Sequence, residues 1–195
     1  MKHPSNRDLF SHWNERRGTR LAPHRSDIEP SAIRQSLGDT FVLDADGMAR
    51  LPFRIAGTRL CALFSRELKG ESFAKLWQPT GQTTIRELIE VVVEEKAGVV
   101  AGVTGTTADD SLLPVNLELL LLPLAFAARS EARVIGSLAP LAAPYWLGTK
   151  AVGPLSLGMF RHIGPAVDEA APPRLRAVSG RLMHGLTIYD GGRAK

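Results

Sequence analysis

The stretch TIRELIEVVVEEKAGVVAGVTGTTADDSLLPVNLELLLLPL, Thr84 to Leu124, changes its apolar period once, and the change sets the architecture. Ile85, Leu88, Ile89 and Val92 fall three or four apart, one stripe of a helix over Thr84–Ala97. Thr84 and Glu87 have the spacing of a capping box, and Gly98 is placed to end the helix. Beyond Gly98 the residues are β-rich. Val99–Thr107 and Leu112–Leu124 read as strands, with Asp109-Asp110 in the turn between them. In the second strand Val115, Leu117 and Leu119 alternate with Asn116 and Glu118, as in a sheet with one wet face. Leu119–Leu122 loses the alternation. That predicts burial on both faces, or cover by an added segment.

Working outward, Ala132–Leu141 is a third strand after a break at 127–131. Upstream, Thr40–Asp44 and Leu51–Leu60 flank Asp44-Ala45-Asp46-Gly47 and read as a hairpin, with Phe53 and Ile55 on one face and Arg54 on the other. Leu60–Trp77 reads as short helical turns divided by Gly70. At the start, Leu9, Phe10 and Trp13 give an amphipathic helix over Ser5–Arg17, stopped by Gly18. A second helix is expected between Asp27 and Leu37, with Pro30 in its first turn and Gly38 just past its end. From Ala142 the chain is Pro/Gly-rich and apolar, with a linker at 165–176. The expected fold is α+β: a five-stranded antiparallel sheet with helices on one face. Residues 1–39 form an N-terminal helical extension and 40–141 the core. Residues 142–195 are an irregular segment and tail packing on the core or on a partner.

Composition bounds the function. Of 195 residues 44% are hydrophobic and 23% charged, an ordinary globular balance. The lone Cys61 excludes an internal disulfide framework and makes reducing cytoplasm the expected compartment. Residues 1–30 lack the apolar run of a secretory signal. The uncharged stretch Val134–Thr149 is too short to span a membrane and carries Pro140 and Pro144. The net charge of +4 lies in mildly basic ends, with mixed signs and no dense basic run, so a solvated face is favoured over a nucleic-acid surface.

The order of elements is that of a PAS domain, and particular residues sharpen it. Trp13 with Arg17, HRSDIEPSAIRQSL (24–37), FVLD (41–44), FRIAGTRLCALFSRELKG (53–70), LELLLLPL (117–124), VIGSLAPLAAPYWLG (134–148) and a tail containing Gly-Gly occur in sequence. In this the chain resembles a family of small, mostly alphaproteobacterial, single-domain PAS-like proteins. The resemblance implies a PAS fold and a sensory or regulatory role in signalling, and it supplies no catalytic residue. One departure stands out: Ser65 holds the position where the family pattern has the glycine of a Phe-Gly pair.

Each candidate chemistry fails on placement. PAS domains that hold haem present a histidine from the long helix or its neighbours, yet none lies between His24 and His162. Flavin photosensors of this fold need a reactive cysteine in an Asn-Cys-Arg-like motif, whereas Cys61 sits in Arg59-Leu60-Cys61-Ala62-Leu63 and reads as a small buried hydrophobe. His3, His12, His24, His162 and His184 share no ligand spacing. Ser156 in GPLSLG lacks the spacing of a nucleophile elbow. The glycines of VAGVTGTT (100–107) follow a helix and enter a strand, the reverse of a dinucleotide loop. The expectation is a non-enzyme without haem, flavin photochemistry or metal.

Two positive expectations remain. Phe64, Trp77, Leu88, Val92, Leu117 and Leu119 either line an apolar cavity between the long helix and the sheet or fill a core. In the first case Arg54 or Arg59 is the anchor for an acidic small molecule; in the second both arginines are on the surface. Separately, Leu9, Phe10 and Trp13 of the first helix, with Tyr145, Trp146, Leu147, Leu155, Leu157, Met159 and Phe160, form an apolar set. It either covers the sheet of the same chain or meets a signalling partner or a second copy as a homodimer.

Overall fold

The computed structural model describes residues 1–46, 50–107, 114–126, 131–143, 145–146 and 148–164. The expectations for Asp109-Asp110, Leu147, His184, the linker and the tail lie outside these residues.

Six strands form one sheet in the order β2-β1-β5-β4-β3-β6, with every neighbouring pair antiparallel. They are β1 (Thr40–Asp44), β2 (Phe53–Ala56), β3 (Gly98–Gly105), β4 (Val115–Pro123), β5 (Arg133–Pro140) and β6 (Ser156–Ile163). Three α-helices accompany them among the described residues: α1 (Pro4–Arg17), α2 (Thr58–Leu63) and α3 (Gln82–Glu95). The first five strands with α2 and α3 realise the expected antiparallel α+β core.

β4 explains the layering. Its Leu117, Leu119 and Leu121 join one core with Ile85, Leu88, Ile89 and Val92 of α3. Its Leu120 and Leu122 face the other way, into a second core with Leu9 and Trp13 of α1. The lost alternation in LELLLL thus records a strand covered on both faces, and each fully buried leucine there contributes roughly 1.5–3 kcal/mol. Helices therefore flank both faces of the sheet, where one was expected. The sheet also has six strands where five were expected, because 156–163 pairs with β3 instead of running irregularly.

Local departures have local causes. Ala32 and Ser36 donate back to Glu29 and Ile33, i→i−3 bonds that make 30–39 a run of turns instead of an α-helix; a 3₁₀ turn, Arg25–Asp27, precedes it. The second strand stops at Ala56 because Gly57 caps α2. A register shift at Val42/Leu43 pairs Phe53 with Leu43 but Ile55 with Val42, so Phe53 is buried and Ile55 exposed rather than sharing a face. α3 starts two residues early, after Gly81 and without a side-chain cap, so the Thr84/Glu87 box does not form at its end. Lys96, in the left-handed region at φ 54°, ends it instead of Gly98.

Candidate functional site

The interior between α3 and the sheet gathers six of the residues singled out by sequence. Phe64, Trp77, Leu88, Val92, Leu117 and Leu119 are buried in one cluster. An aromatic series runs through it. Phe41 stacks on Phe73 at 5.3 Å, and Phe53 and Trp77 meet Phe73 edge-on at 5.6 and 5.7 Å. These rings pack on one another within the core that the candidate lining residues share. One polar atom in this interior is unsatisfied: the Trp77 indole N–H is buried and has no hydrogen-bond partner among the described residues.

The two arginines stay outside it. Arg54 is exposed on β2 and pairs with Asp44 at 3.5 Å. Arg59 on α2 donates to both carboxylate oxygens of Asp39, at 2.9 and 2.7 Å, and to the Gln35 carbonyl. The hydrogen bond to Asp39 raises the Arg59 pKa further. Neither guanidinium is available as an anchor within the cluster.

Cys61 touches the same interior from α2 with its thiol toward Glu67 Oε1 at 3.6 Å. Burial pushes its pKa up, so it stays a thiol. Among the described residues no three His, Cys, Asp or Glu side chains gather as a metal site. No helix among them is long and apolar enough to cross a membrane.

A second constellation lies on the opposite face, and only the apolar half of it is legible in the sequence. Leu9 and Trp13 are fully buried against the sheet, with the Trp13 indole donating to the Pro123 carbonyl at 2.8 Å. Phe10 is half-buried and stacks on Trp13. Beside them is a buried polar seat. The Glu118 carboxylate accepts the backbone N–H groups of Lys2 and His3 at 2.7 and 2.8 Å and the Asn6 amide at 3.0 Å. Ser5 Oγ donates to Asp39 Oδ2 at 2.6 Å. Burial pushes the Glu118 carboxyl up, and the donors from His3, Lys2 and Asn6 outweigh it, so the net pKa lies below the ordinary glutamate value. The available signal was a glutamate inside an otherwise apolar LELLLL run.

The apolar set of the later chain is divided. Leu155 is fully buried, its N–H on the Leu76 carbonyl and its carbonyl on the Gln78 N–H. Trp146 and Leu157 pack half-buried against the α3-side core. Tyr145 and Met159 are 96% and 93% exposed, and Phe160 is 46% exposed. Leu9, Trp13 and Leu155 are therefore interior, while Tyr145, Met159 and Phe160 remain at the surface.

A five-strand order of 2-1-5-4-3 with short helices and a longer one on one flank is the antiparallel α+β architecture of a PAS-like domain. A PAS domain family model matches residues 1–139, and the chain belongs to that family, whose members are generally sensory and signalling domains. No curated protein matches the sequence. Among solved structures, an RNA-binding light-oxygen-voltage receptor is similar over 57% of this chain and 33% of its own, at 17% identity and a TM-score of 0.44. A LOV protein of Rhodobacter sphaeroides is similar over 54% and 60%, at 15% identity and a TM-score of 0.42. The PAS domain of an HTR-like protein from Haloarcula marismortui is similar over 56% and 90%, at 18% identity and a TM-score of 0.40. The chain thus spans a third of the first structure and under two thirds of the second.

Proposed function

We propose that this PAS domain is a regulatory module that acts in signalling through protein–protein contact and is not an enzyme. The observation that carries the reading is an aromatic-packed interior together with large apolar side chains left at the surface. Phe41, Phe53, Phe73 and Trp77 pack on one another in the core that α3 joins, while Met159 and Tyr145 stand in solvent and Phe160 is half exposed. A module built this way transmits by which partner it holds. Haem and flavin photochemistry have no part in the reading, because α3 carries no histidine and Cys61 lies in Arg59-Leu60-Cys61-Ala62-Leu63, outside an Asn-Cys-Arg-like motif.

The test is capture with the full chain from lysate of its source cells, before and after dialysis. A specific protein enriched in both supports ligand-independent contact. Enrichment of none overturns the reading.

A second reading, tuning by a small molecule, is favoured by the orphan Trp77 N–H, since a buried donor without a partner costs about 1–3 kcal/mol. Its ligand would carry an acceptor for that N–H and an otherwise apolar body. Native mass spectrometry of the gently purified chain decides it: a bound mass supports tuning, and a bare protein mass removes it.

A further inference from the structure

Among the described residues the α1 face of the sheet is open in part over β3 and β6: Val100 is buried there, whereas Gly102 and Arg161 are exposed. α1 packs on β4 and β5. Beside it a depression of about 610 Å³ lies over β3 and β6, with Lys2, Val100, Gly102, Leu141, Met159 and Arg161 in its lining. Val100 and Gly102 make its floor. Lys2 and Leu141 stand on one bank, Met159 and Arg161 on the other. Gly102 is exposed, and a Cβ there would meet nothing nearer than the Met159 carbonyl at 3.8 Å, so the missing side chain deepens the groove without being required by packing.

The width and the charge select the occupant. Two strands about 4.8 Å apart leave a strip roughly 10 Å across, the diameter of one α-helix with its side chains. The strip adjoins α1, which shows that this face accepts a helix. Both banks carry a cation, Lys2 and Arg161, and neither forms an ion pair among the described residues. The carboxylate in the wall, Glu118, is already engaged by three donors. A second copy offers no matching helix among the described residues. The outward face of α1 is Arg7, Asp8, Ser11, Asn14 and Glu15, and the apolar stripe of α3 is buried in its own core.

We propose that this groove receives an amphipathic helix of another protein, with aliphatic side chains over Val100 and Gly102 and carboxylates along its edges toward Lys2 and Arg161. The proposal rests on the protein-contact reading and names the site and the chemistry of the partner.

The test uses the full chain and two labelled helical peptides with the same leucine stripe at i, i+3, i+4 and i+7, one edged with glutamate and one with lysine, read by fluorescence anisotropy. The glutamate-edged peptide binds the wild-type chain about tenfold or more tighter than the lysine-edged one. Gly102→Leu fills the floor and abolishes binding, with Met159→Ser as a second, fully exposed variant that weakens it. Lys2→Glu with Arg161→Glu inverts the preference. Equal binding of the two peptides, no binding of either, or unchanged binding by folded Gly102→Leu overturns the proposal. Capture of the same proteins by wild type and Gly102→Leu overturns the groove while leaving the protein-contact reading standing. Capture of none by the wild type removes that reading itself.

Discussion

Asn6 and Glu118 are joined twice: the Asn6 amide donates to the Glu118 main-chain carbonyl at 3.2 Å and to its carboxylate at 3.0 Å. A single side chain in the first turn of α1 thus fixes both the backbone and the charge of a mid-sheet strand. Leu9 and Trp13 supply the apolar part of the docking, and the Asn6–Glu118 pair sets where along β4 the helix begins.

Glu118→Gln keeps the shape and removes the charge that the Lys2 and His3 N–H groups address. The expected loss is about 1–2 kcal/mol at neutral pH, read from urea unfolding. The sign of the pH dependence follows from the lowered pKa of Glu118. The stability it adds is present above the ordinary glutamate value and is lost as pH falls through the folded one. The difference between wild type and Glu118→Gln therefore holds from pH 7 down to the ordinary glutamate range and shrinks only as the pH falls below it. A constant difference would place the effect in packing instead.

Trp13→Phe removes the N–H that satisfies the Pro123 carbonyl and leaves a buried acceptor and a small void. The expected cost is about 2 kcal/mol in a denaturant titration. Hydrogen exchange locates it: amides of α1 lose protection, while those of α3 on the opposite face keep theirs.

Period and turn chemistry made the central architecture legible. The helix-to-strand switch near Gly98 and the Leu119–Leu122 run read correctly, because they depend on one strand meeting cover on both sides. β6 was not legible, since SLGMFRHI has no alternation and follows a Pro/Gly-rich segment; its pairing with β3 is a long-range event. Arg54 and Arg59 illustrate the limit at the site. Residue type suggested an anchor, but nearby Asp44 and Asp39 claim them, and nothing in the local pattern of either arginine says which acid it meets.

Ser65 sits at φ 51°, in the left-handed region that glycine enters without steric cost. It is exposed, so its side chain contributes little there. Ser65→Gly relieves the backbone penalty, offset in part by the greater freedom of the unfolded chain, for a net gain of roughly 0.5–1 kcal/mol. Thermal melts measure it, and a lower melting temperature would show that the turn is not strained.

Gly136 tests the aromatic interior from the sheet side. It lies directly opposite Phe41 across the β1–β5 pair, and a Cβ on it would run into the Phe41 ring and stand 2.6 Å from the Leu120 carbonyl oxygen. Phe41 cannot swing aside, because it is stacked on Phe73 and edge-on to Phe53. Gly136→Ala therefore costs about 2–3 kcal/mol by overpacking. Trimming the ring makes the cause separable: in Phe41→Leu the alanine has room on that side, so the double variant loses less than the sum of the two single losses. Unfolding free energies of the four proteins give the coupling directly. Simple additivity would mean that the Leu120 carbonyl, and not the aromatic stack, excludes a side chain at this point in β5.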